Sequence, residues 1–295
     1  YVDLHGERFH CWKKKGHGVV GMRTALKKSC DVYFYEVARR LGIDKLSVTA
    51  ERFGLGQKVL KNYKEEKAGV VPNTKWKKRE LGQNWYLGET LHSGIGQGYF
   101  LTTPLQLSLM TAQIANGGFK INPRIIVDKN DKIGNLQKYL NHKNSTPGNV
   151  MSTNDQVYNF NLQPLFRNQE NINLVKDAMF AATNEIGGTS YRSRFKEKKF
   201  MFAGKTGSSQ IKRFTNEQRE AEVKQQDITY LERDHAWFVA FAPVKDPRYA
   251  ISVLVEHGGS GSSAAAPIAK KVIKKVIERH EIRTTQASQQ LDRNI

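Results

Sequence analysis

Cysteine is scarce in this sequence, since only Cys11 and Cys30 occur among 295 residues. Two cysteines are too few to hold a small disulfide-rich domain together, so a chain of this length must depend on a hydrophobic core. Hydrophobic residues make up 39% of the chain, which is enough for one large domain or two small ones. We therefore expect a globular protein.

Long apolar runs are missing as well. No stretch approaches the roughly 20 consecutive apolar residues that a membrane-spanning helix needs. Tyr1 leads directly into polar sequence, without the features of a secretory leader. We expect any anchor or export signal to lie before residue 1, in a longer protein of which this chain is a part.

Acidic residues are outnumbered, because 28 Asp and Glu oppose 47 Lys and Arg and leave a net charge of +19. Such an excess fits nucleic acid, an anionic membrane surface or an acidic polymer as a partner. The basic residues are scattered, however, and are not interleaved with aromatic residues on one element. The sequence therefore favours a solvated basic surface and predicts no nucleic-acid partner.

The first half of the chain has helical periodicity. Apolar residues at helical spacing on both sides of segment 29–31 predict two helices joined by a turn within residues 22–41. Asp44 is expected to cap a third helix that continues to residue 53, and the following residues to about 86 are predicted to be irregular. Thr103-Pro104 is typical of a helix start and predicts a helix through residue 115.

The second half changes to strand-like patterns. Loops with a small strand pair are predicted over 120–167, followed by a helix over 171–186. Runs of aromatic and β-branched residues then predict an antiparallel sheet. Its strands are expected at 200–210, 236–242 and 249–256, with a helix-prone insertion at 215–233, a covering helix at 264–281 and a disordered polar tail at 283–295, so that the domain spans 1–282.

Segment 204–209 reads Gly-Lys-Thr-Gly-Ser-Ser and lies within a predicted strand. Its small residues leave one strand face open beside the cation of Lys205. Glycine lets another backbone approach closely, an extended peptide can pair with a strand edge, and a lysine beside hydroxyl groups can hold a carboxylate. The segment therefore predicts a binding site for an acidic peptide.

Together with this segment, several other stretches resemble the penicillin-binding protein 2 family, the class B transpeptidases of cell-wall elongation. The resemblance covers about residues 1–280. The order and spacing of the matching stretches make it specific. They are Cys-Trp at 11–12 through Gly-His-Gly at 16–18, Ser-Cys-Asp-Val-Tyr-Phe-Tyr at 29–35, Leu-Gly-Ile-Asp at 41–44, Gly-Ile-Gly-Gln-Gly-Tyr at 94–99, Gly-Lys-Thr-Gly at 204–207, Trp-Phe-Val-Ala-Phe-Ala-Pro at 237–243 and Glu-His-Gly-Gly at 256–259.

The resemblance implies an α/β fold in which helices flank an antiparallel sheet, the penicillin-recognising serine transpeptidase and β-lactamase-like fold, incomplete at its N-terminus. The family works with three motifs, Ser-x-x-Lys, Ser-x-Asn and Lys-Thr-Gly. Ser29 matches the second-motif serine, and Asp31 stands where Asn is commonest. Because a carboxylate only accepts hydrogen bonds, Asp31 is not expected to donate the hydrogen bond that an amide nitrogen makes there. Lys205, Thr206 and Gly207 match the third motif.

The first motif is expected before residue 1, because it should precede Ser29 by more residues than this chain has. Two strings, 193–196 and 209–212, fit Ser-x-x-Lys. Both follow the second motif, so the family's motif order makes them chance matches. The chain alone is therefore expected to lack the nucleophile and to be inactive.

By resemblance, the parent protein would cross-link peptidoglycan stem peptides through a serine acyl-enzyme and would be a target of β-lactams. Ser29, with Asp31 beside it, would relay a proton, and Lys205 would supply positive potential. The segment of Thr206, Gly207, Ser208 and Ser209 would bind the peptide carboxylate and give one oxyanion donor. No catalytic cofactor is implied. The expected location is the periplasmic face of the inner membrane, beside a multispan membrane glycosyltransferase.

The resembling family also holds a zinc near the second motif, which implies a structural zinc on Cys11, His17 and Cys30 with a fourth ligand before residue 1. A Cys11–Cys30 disulfide, or two buried thiols with a surface histidine, stays open. We favour zinc because a disulfide would leave the matched His17 without a role.

Functions of other classes also stay open. A penicillin-sensing or non-catalytic binding module could share these motifs without turning over peptide. A β-lactamase would need a deacylating carboxylate, and no such residue can be assigned. A basic nucleic-acid binder would show a steep dependence of DNA affinity on salt concentration.

Overall fold

The computed structural model describes residues 1–60, 63–125, 163–212, 217–218, 221 and 223–292. Within them we number five β-strands and eight α-helices. The strands are β1 (Val2–Leu4), β2 (Glu7–Phe9), β3 (Ala203–Ser209), β4 (His235–Ala242) and β5 (Tyr249–Val255). The helices are α1 (Met22–Lys28), α2 (Asp31–Leu41), α3 (Ile43–Arg52), α4 (Thr74–Leu81), α5 (Leu87–Gly94), α6 (Pro104–Ala115), α7 (Gln169–Asn184) and α8 (Ala266–Asp292).

The central sheet has three antiparallel strands in the order β3-β4-β5. Strand β3 pairs with β4 from Ala203 opposite Phe241 to Ser209 opposite His235. Strand β4 then pairs with β5 along its length. The three predicted strands and their antiparallel arrangement are confirmed, and β3 is an edge strand of this sheet.

Helix α8 covers one face of the sheet. Its buried Ala269 and Ile273 pack with Phe202 and Phe238 in one apolar cluster. Small residues on the helix let it approach the strands closely, so the large aromatic side chains fill the space between the layers. Because paired residues of antiparallel strands share a face, Thr206, opposite Phe238, belongs to this side of the sheet.

Helices α6 and α7 cover the opposite face. Ile114 of α6 and Met179 of α7 are buried against Ala203 and Phe241. Successive strand residues point to opposite faces, so Lys205 lies on the same side as Ala203. The predicted arrangement, an antiparallel sheet with helices on both faces, is confirmed.

The outer edge of β3 is partly covered at its start by the end of α7. The backbone N–H of Gly204 donates to Thr183 Oγ1 at 3.1 Å. The side-chain amide of Asn184 donates to the carbonyl of Phe202 at 2.9 Å. These side chains take up backbone groups that a neighbouring strand would otherwise pair.

The helix–turn–helix at 22–41 and the helix at 104–115 are confirmed. The helix predicted over 171–186 lies two residues earlier, at Gln169–Asn184. Helix α3 begins at Ile43, so Asp44 lies inside its first turn and is not its cap. Most of the strand pair predicted within 120–167 falls outside the described residues.

The sequence predicted irregular structure up to about residue 86, and this prediction was wrong for residues Thr74–Leu81, which form α4. Asn73 caps this helix by accepting a hydrogen bond from Trp76 N at 2.8 Å, and Gly82 ends it with a positive φ of 67°. These end signals define a helix although its basic sequence gives little periodicity.

The insertion predicted to be helix-prone over 215–233 contains two short 3-10 turns in its described part, Gln225–Asp227 and Tyr230–Glu232. Helix α8 continues to Asp292, beyond the end predicted near 281, so the polar segment that follows 282 is helical where it is described. Alanine and glutamine there are good helix formers, and burial is not required to continue a helix already nucleated. None of the helices in the described ranges combines the length and the apolarity needed to cross a membrane.

Gly204 has no room for a side chain, and we expect Gly204→Ala to lower the free energy of unfolding by about 1–3 kcal/mol. A Cβ there would collide with the ring of Phe238 and lie 2.7 Å from the carbonyl oxygen of Val239. Urea unfolding measures the loss. Gly88→Ala is the control, because its Cβ would meet nothing closer than 3.4 Å. Equal stability of the two variants would contradict the packing described here.

Candidate active site

Ser29 lies in the turn between α1 and α2. It ends α1 with left-handed backbone angles, φ 52° and ψ 58°. The Cys30 N–H donates to the carbonyl of Ala25 at 2.8 Å, which closes the turn. A non-glycine residue in this conformation costs roughly 1–2 kcal/mol, so the surrounding contacts must hold it.

Trp12 supplies several of those contacts. Its indole Nε1 lies 2.7 Å from the carbonyl oxygen of Ser29 and 3.2 Å from that of Lys28. Its backbone N–H donates to Asp31 Oδ2 at 2.8 Å. The side chain and backbone of one residue therefore bind both sides of the Ser29 turn.

Lys205 of β3 reaches this turn from the sheet. Its ammonium Nζ donates to Ser29 Oγ at 2.8 Å and to the carbonyl of Thr206 at 2.7 Å. The two residues are separated by 176 positions in the chain. The structure thus brings the second-motif serine and the third-motif lysine into direct contact.

Burial lowers the pKa of Lys205 to about 8, and the charge of Asp31 opposes this shift. An ordinary lysine titrates near 10.4. Lys205 as a whole residue is only partly buried, whereas its ammonium group is withdrawn from water. A lysine titrating near neutral pH can exchange a proton with a hydroxyl group that it contacts.

The other residues of the predicted peptide site lie on different sides of β3. Thr206 points away from Lys205 and donates its hydroxyl to Thr189 Oγ1 at 3.0 Å. Gly207 and Ser208 are exposed. Ser209 Oγ accepts a hydrogen bond from Trp237 Nε1 at 3.0 Å. Only Lys205, Gly207 and Ser209 therefore share the face that looks toward Ser29.

Gln97 contacts the outer edge of β3, a role not assigned from the sequence. Its amide nitrogen donates to the carbonyl of Ser208 at 2.6 Å, and its oxygen accepts from Gln210 N at 3.3 Å. These two bonds copy the pairing of a neighbouring strand. The Gly-Ile-Gly-Gln-Gly stretch is the sequence feature that could have indicated this role, because flanking glycines let the backbone bring one side chain close to a neighbouring strand.

Cys11, His17 and Cys30 come together beside the same turn, with their ligand atoms all within 4.8 Å of one another. Both thiols are buried and are not joined to each other. Burial raises the pKa of Cys11. Burial and the nearby charges of Lys13 and Lys28 lower the pKa of His17, which favours the neutral imidazole that binds metals.

The family model for the penicillin binding protein transpeptidase domain matches residues 3–274. The chain belongs to the penicillin-binding transpeptidase family. It is 35% identical over 273 residues to the peptidoglycan D,D-transpeptidase MrdA of Acinetobacter baumannii, covering 91% of this chain and 37% of that protein. It is 32% identical to MrdA of Salmonella typhimurium, covering 94% of this chain and 41% of the relative.

Solved structures of the penicillin-binding family have the same fold. PBP2 of Helicobacter pylori, in complex with MreC, matches with a TM-score of 0.73 and 31% identity, over 94% of this chain and 44% of that one. PBP2 of Pseudomonas aeruginosa in complex with WCK 5153 matches with a TM-score of 0.71 and 33% identity, over 93% and 53%. The chain therefore spans only about half or less of these family members.

We expect Lys205 to titrate near pH 8, and the substitution Asp31→Asn to lower its pKa further, because the carboxylate stabilises the ammonium. Carbon-13 NMR of the lysine Cε resonances measures this, with Lys205→Arg identifying the signal. Asp246→Asn is the control, since that carboxylate pairs with Arg248 elsewhere. A titration of Lys205 above pH 10 would refute the buried ammonium.

Proposed function

We propose that this chain is part of a peptidoglycan D,D-transpeptidase that acts through a serine acyl-enzyme. The observation that carries the proposal is the 2.8 Å contact between Lys205 Nζ and Ser29 Oγ, which joins two of the three family motifs. Membership of the penicillin-binding transpeptidase family supports the reaction class. The nucleophile would be the serine of a Ser-x-x-Lys motif before residue 1 in the longer protein.

In the acylation step, the nucleophilic serine would give its proton to the lysine of its own Ser-x-x-Lys motif while its oxygen bonds to the carbonyl carbon of the penultimate D-Ala, and the bond to the terminal D-Ala breaks. The leaving amine needs a proton, which Ser29 would deliver from its own hydroxyl and recover from the ammonium of Lys205. The lowered pKa of Lys205 supports this role, because the ammonium gives up its proton near neutral pH. An amine from a neighbouring stem peptide then attacks the ester and returns a proton through Ser29 to Lys205, while the lysine of the Ser-x-x-Lys motif gives its proton back to the freed serine.

The peptide would lie along β3. Gly207 has no side chain on the face shared with Lys205, which leaves room for a substrate backbone. Ser208 is exposed beside it and would bind the terminal carboxylate, with backbone N–H groups after Gly207 giving an oxyanion donor. Thr206, which is bonded to Thr189, would act by positioning the strand.

The parent protein would work at the periplasmic face of the inner membrane, with a multispan glycosyltransferase as partner. The related PBP2 of Helicobacter pylori was solved in complex with MreC. β-Lactams would acylate the same serine. A non-catalytic penicillin-recognising module is the alternative.

The decisive experiment is intact-protein mass spectrometry with a penicillin, applied to the complete gene product and to this 295-residue chain. We expect a stable gain of one drug mass on the complete protein only. Absence of any gain on the complete protein would favour the non-catalytic module. A gain on this chain would overturn the assignment of the nucleophile to a preceding segment.

In the complete protein, we expect Ser29→Ala to slow penicillin acylation by about 100-fold, because the hydroxyl that relays the proton is lost. Stopped-flow or quenched mass spectrometry gives the rate constant. The control is Thr49→Ala, which removes a hydroxyl that donates to the carbonyl of Lys45 on the exposed side of α3. If both variants acylate at the wild-type rate, Ser29 has no part in proton transfer.

Zinc is our proposal for the cluster of Cys11, His17 and Cys30. Tetrahedral bonds of about 2.3 Å to sulfur and about 2.0 Å to nitrogen place two such ligand atoms roughly 3.5 Å apart. Cys11 Sγ and His17 Nδ1 lie 3.5 Å apart, so the donor set fits the ion. Bound zinc would neutralise the thiolates and hold Cys30, next to Ser29, in place.

Inductively coupled plasma mass spectrometry should find about one zinc ion per complete protein. We expect the Cys30→Ser variant to lose most of this zinc. His280→Gln is the control, because that imidazole lies by Tyr249 and Arg248, away from the cluster. After chelation and unfolding, Cys11 and Cys30 should both react with a thiol reagent, as peptide mapping shows. No zinc together with no labelling of either residue would establish the Cys11–Cys30 disulfide.

A further inference from the structure

A cavity lies on the side of β3 that faces away from Lys205. Its volume is about 640 Å³, and it opens between the segment that precedes β3 and the first turns of α8. Thr189 lines it, and this is the residue that accepts the hydroxyl bond of Thr206, which faces away from Ser29. The cavity is therefore separate from the candidate active site.

Its walls are basic. Arg192 comes from the 3-10 turn Tyr191–Ser193, while Lys270, Lys271 and Lys274 come from α8. At 1.5 Å per residue the three lysines lie within about 6 Å along the helix axis. No carboxylate is among the described residues that line the cavity. Four cations thus face one space from two separate elements.

These cations are poorly neutralised. Lys274 lies 3.8 Å from Glu278, which is a long contact for an ion pair. Lys270 lies over the ring of Phe195 at 5.0 Å, a contact that leaves its charge uncompensated. Elsewhere, Arg23 and Lys27 share close contacts with Glu185. Like charges one helical turn apart repel each other, so an anion entering the cavity would relieve that cost.

We propose that this cavity binds a phosphate-bearing anion. Several cations suit a group with more than one negative charge, and arginine matches the oxygens of a phosphate in a two-pronged contact. The hydroxyls of Ser262 and Ser263 add donors at the same cavity. The volume exceeds that of a free phosphate, and the ring of Phe195 gives an apolar wall for an organic substituent. The proposal is independent of the transpeptidase reaction.

Inorganic diphosphate is the probe, titrated into the complete gene product in detergent by calorimetry at low salt. We expect saturable binding to one site, weakened about tenfold or more in the double variant Lys271→Gln/Lys274→Gln. The matched control is Lys75→Gln/Lys78→Gln, which removes two exposed lysines at the same spacing on α4. Arg192→Gln, on the other wall, should weaken binding as well. Circular dichroism verifies that each variant folds.

Two further ligands show which kind of anion the cavity prefers. The affinity for citrate shows whether carboxylates bind as tightly as diphosphate does. The affinity for short-chain phosphatidylglycerol in mixed micelles shows whether a lipid headgroup binds more tightly than the free ion. Tighter binding of the lipid would make a headgroup the source, and tighter binding of diphosphate a soluble phosphate compound. The proposal is overturned by absence of diphosphate binding, by equal weakening in the α4 control, by wild-type affinity in Arg192→Gln, or by citrate binding as tightly as diphosphate.

Discussion

The ammonium of Lys205 and the hydroxyl of Ser29 link the sheet to the turn between α1 and α2. This turn has its own apolar cluster around Ala25 and Cys30, while Leu26 of α1 packs against the core of the sheet. The sheet packs between α8 on one side and α6 with α7 on the other, while the Ser29 turn belongs to α1 and α2. Withdrawing a cation from water is costly, and the lowered pKa of Lys205 is the measure of that cost. The contact therefore requires that both the turn and the sheet hold their positions, and Trp12 and Thr189 hold the turn and the strand on either side of it.

Much of the fold followed from periodicity and end signals. The strands of the sheet are short runs of aromatic and β-branched residues, and α6 begins at Thr103-Pro104 with the expected capping hydroxyl, which accepts from Gln106 N at 3.2 Å. Helix α4 escaped prediction because its stability comes from Asn73 and from Lys77, which is buried and paired with Glu89. A buried lysine counts as a polar residue in any hydrophobic pattern, so no apolar helical face is recognisable in this segment.

The candidate site was predictable in part and for a clear reason. Segments 29–31 and 204–209 are local motifs, so their residue types could be read directly, and the family resemblance joined them. Side-chain direction could not be read as easily, because Thr206 and Lys205 are neighbours in sequence and lie on opposite faces of β3. Trp12 and Gln97 bind through single long side chains across turns, and such contacts depend on tertiary placement.

The outer edge of β3 is closed at both ends by side chains. Thr183 accepts a hydrogen bond from the backbone N–H of Gly204, and Gln97 donates one to the backbone carbonyl of Ser208. Four residue steps separate these points, or about 13 Å at a rise near 3.3 Å per residue. A short extended peptide fits along β3 between these two points, whereas a long strand from another molecule would collide with the side chains of both Thr183 and Gln97. The same two side chains that frame the site therefore also protect an exposed sheet edge against edge-to-edge aggregation.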